Sequence, residues 1–327
     1  MRRRELIAGL GASGAWPFVA HGQQQALPVV GLLSSASPDR YSHYLQAFRE
    51  GLGDTGHVEG RNVAIEYRWA DGNNDRLPAL AADLVDRQVR AIAALGSTPA
   101  ALAAKAATAT IPIVFQIGSD PIAAGLVASL ARPGGNVTGV TNLNTELGRK
   151  RLELLREVTP AAKAVVLLVN PTSPLIAQTM SQDLEAAAHT LGLQLHILPA
   201  STEQDFDAVF ARLAALKAEG LVIAPDAFFI TRSEQLATLT VRHAVPAIAQ
   251  FREFAAGGGL MSYGGNFSEA AHQVGVFIGR ILKGEKPVDL PVRQLTKVAL
   301  VINLRTANAI GVAIPQSLLA RADEVIE

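Results

Sequence analysis

The stretch AVVLLVNP, Ala164 to Pro171, is a short apolar run that stops at Asn170-Pro171. Its length and β-branched content suit a buried strand, and an Asn-Pro pair ends strands well. An earlier run of the same kind, PVVGLL from Pro28 to Leu33, gives way to Ser34-Ser35. Each run belongs to a series in which apolar strands alternate with amphipathic helices. The first series continues with a helix through Tyr44, Phe48 and Leu52 and a strand over Val63 to Tyr67. Leu77, Leu80, Leu84 and Val85 then recur at helical spacing, and Ala91 to Leu95 reads as a third strand. An alanine-rich helix over Ala100 to Ala109 and strands over Ile111 to Ile117 and Val137 to Val140 complete it.

The second series starts with a helix through Leu152, Leu155 and Val158 that leads into Ala164 to Val169. Strands over Leu193 to Leu198, Leu221 to Ala224 and Pro246 to Ala249 follow, separated by helical stripes. Such alternation predicts parallel sheets with helices on both faces. Two series of similar size predict an α/β fold of two doubly wound, Rossmann-like lobes. A shorter third piece holds a strand over Leu260 to Tyr263, a helix through Ala271, Val274, Phe277 and Leu282, and a last strand over Val298 to Ile302. Leftover elements of this kind imply that the chain returns to lobes already built, across a multi-strand hinge. The expected division is 27–142 plus 250–284 for the first lobe and 143–249 plus 285–327 for the second.

The chain has 327 residues, equal numbers of Lys+Arg and Asp+Glu (29 each), and no cysteine. A neutral chain has no basic excess to grip a phosphate backbone, so nucleic acid is not an expected partner. Absent cysteine excludes disulfides, thiolate metal sites and thiol nucleophiles. Arg2, Arg3 and Arg4 precede an apolar, glycine-broken stretch from Leu6 to Ala20, and Ala20-His21-Gly22 offers small residues around one spacer. Residues 1–22 therefore read as a cleaved export signal, and Arg3-Arg4-Glu5-Leu6-Ile7 resembles a twin-arginine signal. The apolar stretch is too short to span roughly 30 Å of hydrocarbon. A thiol-free, unanchored exported body points to the periplasm.

In doubly wound sheets, function sits in the loops after the strand C-termini. Here those loops carry Ser34, Ser35 and Tyr41; Ser97-Thr98-Pro99; Ser119-Asp120-Pro121; Thr141-Asn142; Asn170-Pro171; Pro225-Asp226; Gln250-Phe251; and Tyr263. Hydroxyls, amides and two carboxylates suit a small polar solute held between lobes. Pro99 suits a first helical position, so Ser97 and Thr98 would present hydroxyls and N–H groups at a helix start, which attracts anions. Thr98 is equally suited to cap its own helix, and capping and binding are compatible. Asp120 before Pro121 reads first as an N-cap. Asp226 precedes Phe228-Phe229: it is either a receptor for a ligand ammonium beside an aromatic ring, or a turn aspartate beside core phenylalanines.

Signatures of catalysis are missing. No GxGxxG follows the first strand, no GxSxG occurs, and the seven His form no HExxH. No cofactor is expected. A sugar-binding repressor would need an N-terminal helix-turn-helix where this chain carries its export signal.

Several longer stretches carry a resemblance: EYRWA (Glu66 to Ala70), LPALAADL (Leu77 to Leu84), IPIVF (Ile111 to Phe115) and DPIAAGLVASLARPGGNVTG (Asp120 to Gly139). The tail VINLRTANAIGVAIPQSLLARADEVIE (Val301 to Glu327) is the most specific. Together they resemble the tryptophan/tyrosine-type substrate-binding proteins of ABC transporters, within the type I periplasmic-binding-protein group. The resemblance implies a hinge-bending, monomeric receptor for an amino-acid-like solute, delivering it to an inner-membrane permease. It implies ligand contacts at Ser97, Thr98, Ser119, Asp120, Asn170 and Asp226. Gln250 stands where the family pattern has an aromatic residue, and the helix from Ser268 to Leu282 lacks the tyrosine and arginines usual near its start. Both departures bear on whether the ligand is aromatic. A sensor subunit for a membrane kinase and an exported enzyme on the same scaffold are the alternatives.

Overall fold

The computed structural model describes residues 27–39, 41–142 and 144–327. The expected export signal lies outside them. Strands β1 (Val29–Ser34), β2 (Ala64–Trp69), β3 (Ala91–Leu95), β4 (Ile113–Ile117) and β5 (Val137–Thr141) form one parallel sheet. Strands β6 (Ala164–Val169), β7 (Gln194–Pro199), β8 (Leu221–Ile223), β9 (Ala247–Ala249) and β10 (Met261–Gly265) build the second. Three further strands return: β11 (Arg293–Gln294), β12 (Val298–Asn303) and β13 (Glu324–Ile326). The orders are β11-β5-β4-β3-β1-β2 and β13-β12-β10-β9-β8-β6-β7. In each sheet the strand order reverses beside the first strand of its series. That switch point is where doubly wound sheets open a crevice. The architecture is the pair of doubly wound, largely parallel sheets expected from the sequence.

Hydrophobic clusters lie on both faces of each sheet, which is why the strands read as continuous apolar runs. The helices Ser42–Asp54 and Phe267–Leu282 cover one face of the first sheet. They touch backbone to backbone. A Cβ on Gly275 would stand 2.8 Å from Leu52 N and closer still to the Phe48 carbonyl, and one on Gly51 would strike the His272 carbonyl. Glycine at these two positions allows the approach.

The sheets divide the chain differently from the expected boundaries. The chain crosses between them after β5, between β10 and the helix Phe267–Leu282, and between β11 and β12. Residues 250–265 therefore belong with the second sheet: β10 pairs in parallel with β9 and antiparallel with β12. Arg293–Gln294 instead pairs with β5 in the first sheet. The periodicity of β10 is blind to its partners, and a two-residue strand such as β11 has no periodicity at all.

The lobes are closed on one another. Ile230 and Phe251, carried by the second lobe, join the hydrophobic cluster of the first. Asn74, beyond β2, donates to the Thr172 carbonyl at 3.2 Å and hydroxyl at 3.1 Å in the second lobe. Among the described residues, no helix is long and apolar enough to cross a membrane.

Candidate functional site

Between the closed lobes lies a cavity of about 20 Å³, lined by Ser97 and Thr98 on one side, Asp226 and Ile176 on the other, and Gln250 and Phe251 at the crossing. All but Ile176 and Phe251 of these six are loop residues singled out from the sequence as candidate sites.

On the first lobe the helix Thr98–Ala107 points its N-terminus at the cavity. Its cap is Ser97, not Thr98: Ser97 Oγ accepts from Ala100 N at 3.1 Å. The helix begins one residue earlier than Pro99 suggested, so Thr98 is released from capping. Thr98 shares a hydrogen bond with the Ser119 hydroxyl at 2.8 Å, and Ser35 shares one with Ser97 at 2.6 Å. Each hydroxyl pair consumes one O–H and leaves the other free to donate. Thr141 donates to the Ser119 carbonyl at 2.9 Å and so fixes that loop. A buried row of hydroxyls at a helix start is a surface made for an anionic or carbonyl oxygen.

The second lobe answers with a carboxylate. Asp226 caps the short helix Ala227–Thr231, accepting from Phe228 N at 2.9 Å. It also accepts from Asn170 Nδ2 at 2.8 Å and from the Ser173 hydroxyl at 2.7 Å. Burial pushes the Asp226 carboxyl above the usual aspartate range, against the pull of these donors toward the ionised form. With Phe229 N also directed at it, four groups of the second lobe surround this carboxylate, about the number it can accept. Phe228 and Phe229 lie in the core of the second lobe beside Phe206, so of the two readings of that pair the core one holds.

Other expected positions lie at varying distance from this cavity. The Tyr41 ring is buried against Tyr44 and Trp69, and its hydroxyl presses on Gly96, whose missing Cβ makes the room. Asn142 packs on the Gly265 backbone at the crossing between lobes. Ser34 accepts from Ala36 N at 3.2 Å inside the first lobe. Asp120 accepts from Ile122 N at 2.8 Å, but it caps a turn over 121–125 and not the helix its Pro121 suggested. Tyr263 packs its ring into the second-lobe cluster, and its carbonyl takes a hydrogen bond from Arg151 Nε at 2.8 Å. Neither Ser34, Asp120 nor Tyr263 lines the cavity.

Several residues of the site have no obvious mark in the sequence. Ser173 follows Asn170 in the same loop and stands at the N-cap position of the helix Pro174–Thr190, the one signal that would have found it, but its hydroxyl donates to Asp226 and does not cap that helix. Asn144 and Arg151 extend the edge of β10 past the end of β9: Asn144 Oδ1 accepts from Gly265 N at 3.0 Å, two residues along from the carbonyl Arg151 holds. Burial lowers the Arg151 pKa to about 9. Around the crossings, the Tyr41 hydroxyl, Gln116 Oε1, Asn142 Oδ1, Asn144 Nδ2, Gln250 Oε1 and both Arg151 Nη atoms are buried without a hydrogen-bond partner among the described residues. Leaving one such buried group unmet costs about 1–3 kcal/mol.

The model of the family described as ABC transporter substrate binding protein matches residues 29–326. A tyrosine-binding protein of Clostridioides difficile (strain R20291) is 28% identical over 266 residues, covering 81% of this chain and 75% of that protein. A Streptococcus pneumoniae ABC domain in complex with L-Trp superposes with a TM-score of 0.82 at 25% identity, covering 92% of this chain and 100% of that one. The ligand-free, open structure of a Clostridium difficile substrate-binding protein with adhesive properties gives 0.63 at the same 25% identity, with 92% and 99% coverage. The chain thus belongs to the ABC transporter substrate-binding protein family, a family of ligand-binding proteins and not of enzymes.

Proposed function

We propose that this protein is the periplasmic receptor of an ABC importer, and that its lobes close on an amino-acid-like solute. The reading rests on one observation: donor hydroxyls at a helix start in one lobe face a buried, ionisable carboxylate in the other. An amino acid carries the two complementary groups a short distance apart. Its carboxylate would meet Ser97 and Thr98, with Ser35 and Ser119 behind them, and its ammonium would meet Asp226, held by Asn170 and Ser173. Neither half is complete without the other lobe, so the ligand favours the closed state over the open one by the contacts that only closure supplies. The greater likeness to the L-Trp complex than to an open, ligand-free relative supports this view, while the cavity of about 20 Å³ is water-sized, so the lobes stand further apart around an amino acid than they do here. The protein acts as a monomer, exported through its N-terminal signal, and hands its cargo to a permease.

Small-angle scattering with and without an amino acid that raises the melting temperature tests the mechanism. The radius of gyration should fall on binding. Identical curves for the free and saturated protein would remove hinge closure from the account. A ligand at 100 times its Kd adds about 2.7 kcal/mol, which a thermal-shift screen of amino acids detects readily.

A further inference from the structure

A second space lies behind the cleft. It measures about 330 Å³ and is bounded by Ala299 and Val301 of β12, by Glu253, Asp323 and Glu324, and by Tyr44 of the first lobe. Gln250, Phe251 and Phe267 line both this chamber and the small cavity between Ser97 and Asp226. They form a shared wall. The two phenylalanine rings meet edge to face, with centroids 4.9 Å apart at 78°. Phe251 follows β9 in the second lobe, while Phe267 opens the helix that covers the first sheet. The wall is therefore made from both lobes.

The chamber's chemistry is one-sided. Three carboxylates, Glu253, Asp323 and Glu324, face one guanidinium, Arg252. Arg252 is committed to Glu324 through two hydrogen bonds, Nε to Oε2 at 2.7 Å and Nη2 to Oε1 at 2.5 Å. Glu253 Oε1 takes His43 Nε2 at 3.0 Å, and Asp323 Oδ2 takes Leu300 N at 2.8 Å. Burial raises the Glu253 carboxyl, but hydrogen bonds from His43, its own backbone and Tyr44 outweigh burial and hold it below the usual range, so it is charged at neutral pH. Independently of these acids, Gln250 in the shared wall is 4% exposed, and its Oε1 is a buried acceptor with no partner among the described residues. That acceptor calls for a donor. The aromatic faces of Tyr44, Phe251 and Phe267 are also surfaces on which a cation is favoured.

We infer that this chamber receives the ligand's side chain, and that the ligand is an amino acid whose side chain ends in a cation. The inference rests on the amino-acid reading of the cleft given above. With the α-carboxylate at Ser97 and Thr98 and the α-ammonium at Asp226, the side chain of the bound ligand lies beside Gln250 between Phe251 and Phe267 and replaces their edge-to-face contact. Its methylenes lie on Ala299 and Val301, and its charge meets Glu253 and Asp323. An apolar cavity of about 150 Å³ takes up a benzene molecule. A chamber of 330 Å³ has room for a long side chain and its hydration.

Isothermal titration calorimetry on the full chain, with L-lysine, L-arginine, L-norleucine, L-tyrosine and L-tryptophan as probes, decides the matter. Norleucine keeps a chain of methylenes like that of lysine without the ammonium, so the lysine-to-norleucine affinity ratio reads the chamber. We expect lysine or arginine to bind at least tenfold more tightly than norleucine and either aromatic. In Glu253→Gln, and separately in Ala299→Phe, which fills the chamber, that ratio should fall to within threefold. The Glu253→Gln result stands alone if the larger substitution does not fold. Equal or tighter binding of norleucine, tyrosine or tryptophan would overturn the chamber assignment while leaving the amino-acid cleft intact. Binding of none of the five, with no thermal shift from any other amino acid, would overturn the cleft reading and this inference with it. A ratio unchanged in both variants would also overturn the inference.

Discussion

Replacing Asp226 by Asn should weaken binding at least thirtyfold and barely disturb the fold. Asp226 Oδ1 accepts from Asn170 Nδ2 at 2.8 Å and from Phe228 N at 2.9 Å, and Oδ2 accepts from the Ser173 hydroxyl at 2.7 Å. An asparagine carbonyl in the Oδ1 position keeps the first two bonds, including the helix cap. Its NH₂ then faces Ser173, whose hydroxyl can turn to accept. The expected stability cost is about 1 kcal/mol, because the helix cap and the Asn170 bond are kept and only the Ser173 O–H must find a new acceptor. Binding loses far more. A ligand ammonium that met a buried carboxylate would now meet an amide donor, and removing one partner of a buried charge pair costs about 2–5 kcal/mol. At 1.4 kcal/mol per tenfold, affinity should fall roughly thirty- to several-thousand-fold. Asp226→Ala is the contrasting variant: it strands three donors, and at about 1–3 kcal/mol for each group left unmet it should lower the melting temperature strongly. Calorimetry with the amino acid giving the largest thermal shift measures the first effect, and a melting curve measures the second. If Asp226→Asn binds that amino acid within threefold of wild type, the ammonium does not sit at Asp226 and the assigned polarity of the cleft is wrong.

The same aspartate should give the free protein and its complex opposite pH responses. Its folded pKa is raised, chiefly by burial, so its share of stability is fully present below the ordinary aspartate value of about 4 and is lost as pH rises through the folded value. Ligand affinity, which needs the ionised form, should weaken as pH falls through that same folded value. Wild type measured against Asp226→Asn from pH 4 to 8 isolates both trends, and parallel behaviour of the two proteins would refute the link. Gly275→Ala should destabilise through the first lobe alone: its Cβ, 2.8 Å from Leu52 N and nearer the Phe48 carbonyl, forces two helices apart. Overpacking of this kind costs about 1–3 kcal/mol, or a fall of several degrees in melting temperature, and an unchanged melt would mean the helices do not meet so closely.

What the sequence made legible follows the physics of each signal. Strands buried on both faces write themselves as runs, so Ala91–Leu95 and Ala164–Val169 were readable to the residue. Loops after those strands had to carry the polar groups, and Ser97, Thr98, Asp226 and Gln250 line the cavity there. Cap position was harder, because Ser97 and Thr98 are both competent caps and only the backbone chooses between them. The partners of Asp226 were beyond reach for a different reason. Asn170 and Ser173 lie more than fifty residues away in sequence, and nothing in their local pattern says which carboxylate they will hold. β11 and the crossing it creates escaped because two residues carry no period. The same limit explains Phe251 and Phe267. Each reads locally as one more apolar residue next to a loop, and only the closed fold puts one from each lobe edge to face. Selectivity in such a receptor depends on contacts between lobes that a linear pattern cannot record, whereas the chemistry of each half, hydroxyl-bearing or acidic, is written locally. A change at Phe251 or Phe267 should accordingly alter which side chains are admitted and leave the proposed α-carboxylate and α-ammonium contacts in place, because Ser97 and Asp226 stand in separate loops of the two sheets.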